Sequence, residues 1–285
     1  MHPVLLQIGR FKVHSYGTML ALAFVVGILL TYARLKRTRE IEPDKVVDLA
    51  LFVLIGGIIG ARLLYVLLNL RDYHSVADVV MVNRGGLSFH GGLLGAMLGG
   101  WVFARINHVP FLQICDLSSP AGALGYAITK VGCFLNGCCY GTPTDLPWAC
   151  QFPAFPGALL EKTPPSHPVQ IYDALINLPV FFILLALLRR KRYHGQVFFS
   201  WIVLYSLTRI FTEYFRQGVT AKYFLPQLWG RWITEAQFAS ALLVLLFGVV
   251  LAINRRRRDL LPEQAERAHG LPSPKEGNDE AGAER

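Results

Sequence analysis

Seven apolar runs constrain the fold of this chain more than any other feature of its sequence. They cover residues 16–33, 46–68, 88–104, 117–135, 170–188, 196–212 and 235–253. Because about 20 apolar residues suffice for a helix to cross a bilayer, the runs predict an all-α, multi-pass membrane protein with seven transmembrane helices. The runs 117–135 and 196–212 are weaker candidates for membrane spans. Asp116 borders the first, which contains Lys130, and Arg209 lies in the second.

The composition agrees with a membrane protein and excludes nucleic acid as a partner. Hydrophobic residues make up 53% of the chain and charged residues 16%, with a mean hydropathy of +0.39. Soluble domains carry about 25% charged residues. The net charge of +9 does not indicate nucleic-acid binding, because the basic residues stand at the ends of the apolar runs.

The distribution of basic residues predicts the orientation in the membrane. With seven spans, the loops and the tail on one side hold 17 Lys and Arg residues, and those on the other side hold 8. Because cytoplasmic loops are enriched in Lys and Arg, we expect the N-terminus outside and the C-terminus in the cytoplasm. The first residues lack a signal-peptide cleavage pattern, so we expect the first span to be retained in the mature protein.

Two polar segments flank or interrupt the predicted bundle. The outer loop 136–168 contains seven prolines, which exclude a helix and favour an irregular cap or arm. Residues 255–285 are rich in charge, Gly and Pro and are expected to form a disordered cytoplasmic tail. The predicted organisation is a transmembrane catalytic domain at 1–254 followed by this tail.

The third run carries a histidine and five glycines, in the order LSFHGGLLGAMLGGW at 87–101. A polar imidazole is costly in lipid without a partner, and glycines permit the close approach of a ligand or a backbone. Two interpretations remain equal here. The segment either forms the wall of an intramembrane site, or it makes a close helix crossing with His90 hydrogen-bonded to a neighbour.

A second polar group lies in the sixth run. Tyr205, Arg209, Glu213 and Arg216 share one helical face by their spacing. Arginine keeps its charge, so at membrane depth Arg209 needs a carboxylate or a phosphate. Either Arg209 and Glu213 form a structural ion pair, or Arg209 binds a phosphate while Glu213 orients it. Arg62 is a second candidate of this kind, unless it extends to the membrane interface.

The segment KVGCFLNGCCYG at 130–141 is unusual for a membrane protein. Asn136, Gly137 and Gly141 are expected to end the helix there. The chain's five cysteines are at 115, 133, 138, 139 and 150. Adjacent Cys138 and Cys139 fit neither a zinc motif nor a relaxed disulfide, so neither a metal nor a cofactor is predicted. In an oxidising compartment Cys150 can pair with Cys138 or Cys139, although small apolar cysteines at a tight turn are more common.

Several separated motifs resemble the prolipoprotein diacylglyceryl transferase family, and they occur in the family's order. They are HSYG at 14–17, FHGGLLG at 89–95, GCFLNGCCYG with DLPWA at 132–149, HPVQIYD at 167–173 and TRIFTEYFRQ at 208–217. The resemblance extends from about residue 5 to 255. That family also has seven spans with the N-terminus outside.

The resemblance implies a reaction and its partners. Enzymes of this family transfer diacylglycerol from phosphatidylglycerol to the lipobox cysteine in the signal peptide of a prolipoprotein, and glycerol phosphate leaves. The chain is therefore expected to be a transferase of the bacterial inner (plasma) membrane that contacts the lipid bilayer. The alternative is a divergent relative that binds lipid without turnover or acts as a membrane thiol-redox protein.

The resemblance also implies which residues form the site. His90 would act as the base for the thiol or hold the lipid head group, and Arg209 would bind the leaving phosphate. The expected catalytic residues are His90, Arg209 and Lys130. The expected substrate-binding residues are Tyr16, Arg62, Asn136, Gly141, His167, Tyr205 and Glu213.

Three positions depart from the family's motifs. The family usually has arginine at the position of Lys130, asparagine at that of Cys133 and an acidic residue at that of Cys138. Lysine keeps the positive charge but loses the planar fork that binds phosphate through two hydrogen bonds. The sequence therefore predicts an altered phosphate contact at this place.

Overall fold

The computed structural model describes residues 1–9, 11–38, 41–70, 86–153, 162–216, 223–224 and 233–256. Seven α-helices lie in these ranges, one at each predicted apolar run. They are α1 Ser15–Thr38, α2 Lys45–Leu68, α3 Phe89–Ile106, α4 Phe111–Asn136, α5 Val169–Arg189, α6 Gln196–Tyr214 and α7 Glu235–Ile253. The prediction of seven helices is confirmed. The expected tail lies, from residue 257 onward, outside the described residues.

Four of the described helices, α1, α2, α5 and α7, are long and apolar enough to cross a membrane. Only 6% of the apolar window of α7 and 11% of that of α2 is buried against protein. Exposed apolar surface of this extent needs a lipid environment. The other three described helices carry the glycines of α3 and the charged residues of α4 and α6.

A short antiparallel hairpin precedes the helices and was not predicted. Its strands are β1 Val4–Ile8 and β2 Phe11–His14. Gly9, with φ +59°, takes a left-handed conformation that glycine adopts without strain. The backbone N–H of His2 donates to the carbonyl of Leu135 at 3.0 Å, so the N-terminus lies beside the end of α4.

The glycines of α3 make a close crossing with α2. A Cβ added at Gly95 would collide with the backbone carbonyl oxygen of Gly56, and one at Gly91 with that of Gly60. Glycine therefore lets these two backbones touch, as in membrane helix pairs with small residues at the interface. Of the two interpretations of this segment, the close helix crossing accounts for the glycines. His90 is exposed.

Helix α4 is central, because it packs against α1 on one side and against α5 and α6 on the other. Near its start, the Asp116 side chain is fully buried and accepts hydrogen bonds from the backbone N–H groups of Gly195 (2.8 Å) and Phe198 (2.9 Å). A carboxylate there accepts hydrogen bonds from backbone N–H groups at the N-terminus of α6, which have no acceptor within the helix. The acidic residue that weakened the apolar run is thus a cap supplied by another helix.

The α2–α3 crossing predicts unequal costs for two nearby glycine substitutions. Gly95→Ala should destabilise the protein by about 1–3 kcal/mol, because the added methyl group overpacks two backbones in contact. Gly92→Ala is the matched control, since a Cβ there would lie 3.4 Å from the Cβ of Ala61. Thermal unfolding in detergent measures both. Equal midpoints for the two variants would contradict the crossing.

Candidate functional site

The predicted site residues lie near one end of the helix bundle. Tyr16 and His90 are the second residues of α1 and α3, while Lys130 and Arg209 lie within about two turns of the C-terminal ends of α4 and α6. Gly141 lies five residues after the end of α4. Helices that alternate in direction therefore bring residues that are distant in sequence to one face of the bundle.

Glu213 is the centre of a buried ion network. Its carboxylate lies 2.9 Å from Nη2 of Arg209 and 3.8 Å from Nη1 of Arg216. The Thr234 hydroxyl, which also caps α7, donates to Glu213 at 3.4 Å. The Glu213 side chain is 3% exposed, whereas that of Arg209 is 19% exposed. The predicted Arg209–Glu213 pair is confirmed, and Arg209 is the more exposed side chain of the two.

Lys130 forms a second ion pair that the sequence did not predict. Its Nζ lies 2.5 Å from Oδ2 of Asp173 in α5 and 5.0 Å from the centre of the Tyr126 ring. Both charged side chains are largely buried, at 11% and 3% exposure. The ammonium group is thus held by a carboxylate and an aromatic face.

Two tyrosines connect these ion pairs. Tyr126 on α4 and Tyr205 on α6 contact edge to face, with ring centres 5.3 Å apart, and their side chains are hydrogen-bonded. Arg209 lies within electrostatic range of Asp173 as well as of Glu213. The result is one charged cluster across α4, α5 and α6, with cations that suit a phosphate group.

The chain after α4 folds back onto the start of α5. The N–H of Gly141 donates to the carbonyl of His167 at 2.9 Å, and the N–H of Thr142 donates to that of Phe215 at 2.8 Å. A Cβ at Gly141 would lie 2.5 Å from the carbonyl oxygen of Phe215, so only glycine fits. The described parts of the loop, 137–153 and 162–168, contain isolated bridges and turns without a helix.

His167 lies in this folded-back segment, outside the helices. Its Nδ1 is 3.2 Å from the hydroxyl of Tyr172, which also accepts a hydrogen bond from Trp148 Nε1 at 2.7 Å. Its ring lies against Phe215, with ring centres 5.1 Å apart. Burial lowers the pKa of His167, because it disfavours the charged imidazolium. The lowered pKa favours the neutral imidazole.

Three cysteine thiols meet at the end of α4. The sulfurs of Cys133, Cys138 and Cys139 lie within 4.8 Å of one another. All five cysteines are free thiols, and Cys150 donates instead to the carbonyl of Trp148. The possible pairing of Cys150 with Cys138 or Cys139 is not found, because the sulfurs of Cys138 and Cys139 lie near that of Cys133. Hydrogen bonds from Cys133 and Cys138, with the charges of Arg216 and Lys130, lower the pKa of Cys139.

Arg62 and His90 lie at the α2–α3 pair. Arg62 is buried, and its Nη1 donates to the carbonyl of Gly86 at 2.9 Å. This contact positions the segment that leads into α3, where Ser88 caps the helix. The His90 ring contacts Phe89 edge to face. Across the described part of the chain, no hydrogen bond or ion pair joins His90 to Arg209 or Lys130.

The remaining predicted residues surround the thiols. Asn136, the last residue of α4, hydrogen-bonds the Cys138 thiol through its side chain. Tyr16 lies within electrostatic range of all three thiols and is 41% exposed. Close packing brings its helix there, since a Cβ at Gly132 would lie 2.8 Å from the Cβ of Met19.

An apolar cleft of about 300 Å³ opens between α1, α2 and α4. Its walls include Phe24, Leu49, Val53 and Thr129. Thr129, at one end of the cleft, directly precedes Lys130 in α4. The apolar walls of the cleft match the chemistry of an acyl chain.

Sequence reasoning missed three residues of the cluster, Tyr126, Asp173 and Thr234. Asp173 ends the motif HPVQIYD, and its position in the first turns of α5 was a usable signal. Tyr126 precedes Lys130 by one helical turn, which places both on one face. Thr234 had no local signal toward Glu213, because a contact between the ends of two helices depends on their packing.

Comparisons with known proteins identify the family of this chain. The family model for prolipoprotein diacylglyceryl transferase matches residues 3–253. A Geobacter sulfurreducens protein is 38% identical over 219 residues, covering 75% of this chain and 82% of its own. A protein of Acaryochloris marina is 38% identical over 74% and 78% of the two chains. One of Clostridium tetani is 28% identical over 90% and 100%. All three are named phosphatidylglycerol–prolipoprotein diacylglyceryl transferase.

Proposed function

Because the chain belongs to the prolipoprotein diacylglyceryl transferase family, we propose that it transfers diacylglycerol from phosphatidylglycerol to the lipobox cysteine of prolipoproteins. In this reaction the cysteine sulfur bonds to the glyceryl carbon. The bond from that carbon to the phosphate oxygen breaks, and glycerol phosphate leaves with the electron pair. The thiol proton must pass to a base or to solvent. The enzyme class is therefore a transferase.

The buried Arg209–Glu213 ion pair, in which the Arg209 side chain keeps 19% exposure, is the observation that carries this proposal. Arg209 contacts Glu213 through Nη2, and a guanidinium has five N–H donors. The donors that Glu213 does not use suit two phosphate oxygens, while the buried carboxylate fixes the plane of the guanidinium. Negative charge builds on the phosphate as the bond breaks, so a pre-positioned cation lowers the barrier.

The apolar cleft supplies the complementary feature for the lipid. It lies between α1, α2 and α4, and its walls are almost entirely apolar. An acyl chain buried there gains about 0.8 kcal/mol per methylene group. A lipid with its tail in the cleft would have its phosphate near Lys130 and Arg209, where the cations lie.

Other residues of the site have proposed roles around this lipid. Lys130 supplies a second positive charge to the phosphate. Arg62 positions the start of α3 and so the imidazole of His90, which serves as the base or as a head-group contact. The proposed substrate-binding residues are Tyr16, Arg62, Asn136, Gly141, His167, Tyr205 and Glu213.

We further propose an inner-membrane location, with the N-terminus and loop 136–168 outside. The contact of His2 with Leu135 puts the N-terminus and the end of α4 on one side. Asp116 and Gly195, which are hydrogen-bonded, lie on the other side. The basic stretch 189–192 belongs to that second side, as expected for the cytoplasm. The site then faces the compartment into which prolipoproteins are exported.

Reporter fusions test this orientation. A fusion within loop 136–168 should be active only as an exported reporter, and one at residues 189–195 only as a cytoplasmic reporter. The physical reason is the bias of basic residues toward the cytoplasm. Finding both positions on the same side would contradict the seven-span topology.

Substitution of Arg209 tests the phosphate contact. Arg209→Ala should lower the rate of transfer to a lipobox peptide by about 10²–10³-fold, the usual effect of losing one such donor. Arg209→Lys should recover little, since an ammonium lacks the fork. Arg105→Ala is the matched control, because Arg105 lies over the Trp101 ring at the far end of α3. A near-normal rate for Arg209→Ala at normal expression would place the phosphate contact elsewhere.

A test of Lys130 must distinguish a contact of its charge with the phosphate from its ion pair with Asp173. Lys130→Met should abolish transfer, but it also leaves Asp173 buried without a partner, which costs about 3–5 kcal/mol. The double variant Lys130→Met with Asp173→Asn removes both charges and restores the fold. If Lys130 contacts the phosphate, the double variant stays inactive, whereas Lys130→Arg keeps or raises the rate. Full activity in the double variant would show that Lys130 only neutralises Asp173.

A further inference from the structure

The convergence of three thiols at the end of α4 comes from the backbone of one turn. Gly137 ends the helix with φ +79°, and Cys139 has φ +66°. A left-handed conformation is uncommon for a residue with a side chain. It lets the adjacent residues Cys138 and Cys139 both face Cys133, which sequence spacing alone did not indicate. The three sulfurs lie within 4.8 Å of one another.

We propose that Cys133, Cys138 and Cys139 bind one Zn²⁺ ion and leave its fourth coordination position open to the acceptor thiol. Thiolates are preferred zinc ligands, with Zn–S bonds of about 2.3 Å and sulfurs about 3.8 Å apart in a tetrahedron. The sulfurs here need to approach by about 1 Å at most to reach that spacing. Binding releases the thiol protons to solvent.

The surroundings of the thiols suit this metal complex. Three thiolates and Zn²⁺ carry one net negative charge, and the cations Arg216 and Lys130 lie within electrostatic range of Cys139. Asn136 hydrogen-bonds the Cys138 thiol, and Gln170 Nε2 donates to the Cys138 carbonyl at 2.6 Å. Hydrogen bonds to metal-binding residues orient the ligands and raise the affinity for the metal.

The open position gives the metal a role in the reaction. In the described ranges, the group contains no fourth His, Cys, Asp or Glu, and zinc sites with three protein ligands and an open position are typically catalytic. A cysteine thiol that binds there loses its proton to solvent and becomes the nucleophilic thiolate. This role rests on the proposed function, whereas zinc binding does not.

Metal content of the purified, reduced, full-length protein tests zinc binding. We expect one Zn²⁺ per chain in detergent, with Co²⁺ replacing it to give thiolate-to-cobalt absorption of a tetrahedral site. Losing an orienting residue alone costs about 10–100-fold in metal affinity, so Cys133→Ala and Cys139→Ala should lose at least that much. The double variant Cys115→Ser with Cys150→Ser is the matched control and should bind zinc normally. Equal loss in the control, or no zinc in the wild type, would overturn the site.

Thiol alkylation provides a test without any variant. In the wild-type protein, Zn²⁺ should slow the alkylation of Cys133, Cys138 and Cys139, as mapped by mass spectrometry of peptides. The alkylation of Cys150 should be unchanged, since its thiol lies outside the group. Equal rates at the three thiols with and without Zn²⁺ would also overturn the site.

A peptide titration of the Co²⁺-loaded protein tests the open position. A lipobox peptide with its cysteine should change the cobalt spectrum, and the same peptide with serine should not. An unchanged spectrum on a loaded protein would overturn the open position but not metal binding. Normal metal binding and an altered spectrum, with no diacylglyceryl product in membranes, would instead overturn the proposed transferase function.

Discussion

The structure of this bundle depends on how charged side chains are satisfied where water is scarce. An isolated charge in a medium of low dielectric constant is costly, so it must have a partner. Glu213, at 3% side-chain exposure, has two arginines and a hydroxyl around it. This arrangement ties the end of α6 to the start of α7. The partners of Glu213 therefore determine where these two helices meet.

This requirement divides the helices into two kinds. Helices such as α2 and α7 leave most of their apolar side chains unburied by protein. Helices α4, α5 and α6 carry the buried charges Lys130, Asp173, Arg209 and Glu213, which form ion pairs. Because α4 contacts α1, α5 and α6, its polar groups reach three neighbours. Asp116 near one end organises the start of α6, and Lys130 near the other holds α5.

The sequence was sufficient for the features that depend on local pattern. Seven helices follow from apolar runs, and the Arg209–Glu213 pair follows from a spacing of one helical turn. Features that depend on packing between helices were not accessible in this way. The partner of Lys130 is on a different helix, and the glycines of α3 allowed two interpretations until the backbone of α2 was seen against them. The convergence of Cys133, Cys138 and Cys139 could not be predicted, because the left-handed conformation of Cys139 cannot be deduced from the order of its neighbours.

The three departures from the family's motifs lie together in the folded protein. The last two turns of α4 and the turn that follows contain Lys130, Cys133 and Cys138. The thiol of Cys139, next to Cys138, lies within electrostatic range of Lys130. Lysine in place of arginine removes the bidentate fork but keeps one charge. A divalent ion on three thiolates would add a Lewis acid at the same place and would lower the pKa of a bound thiol. The site would then rely less on a protein base to form the thiolate.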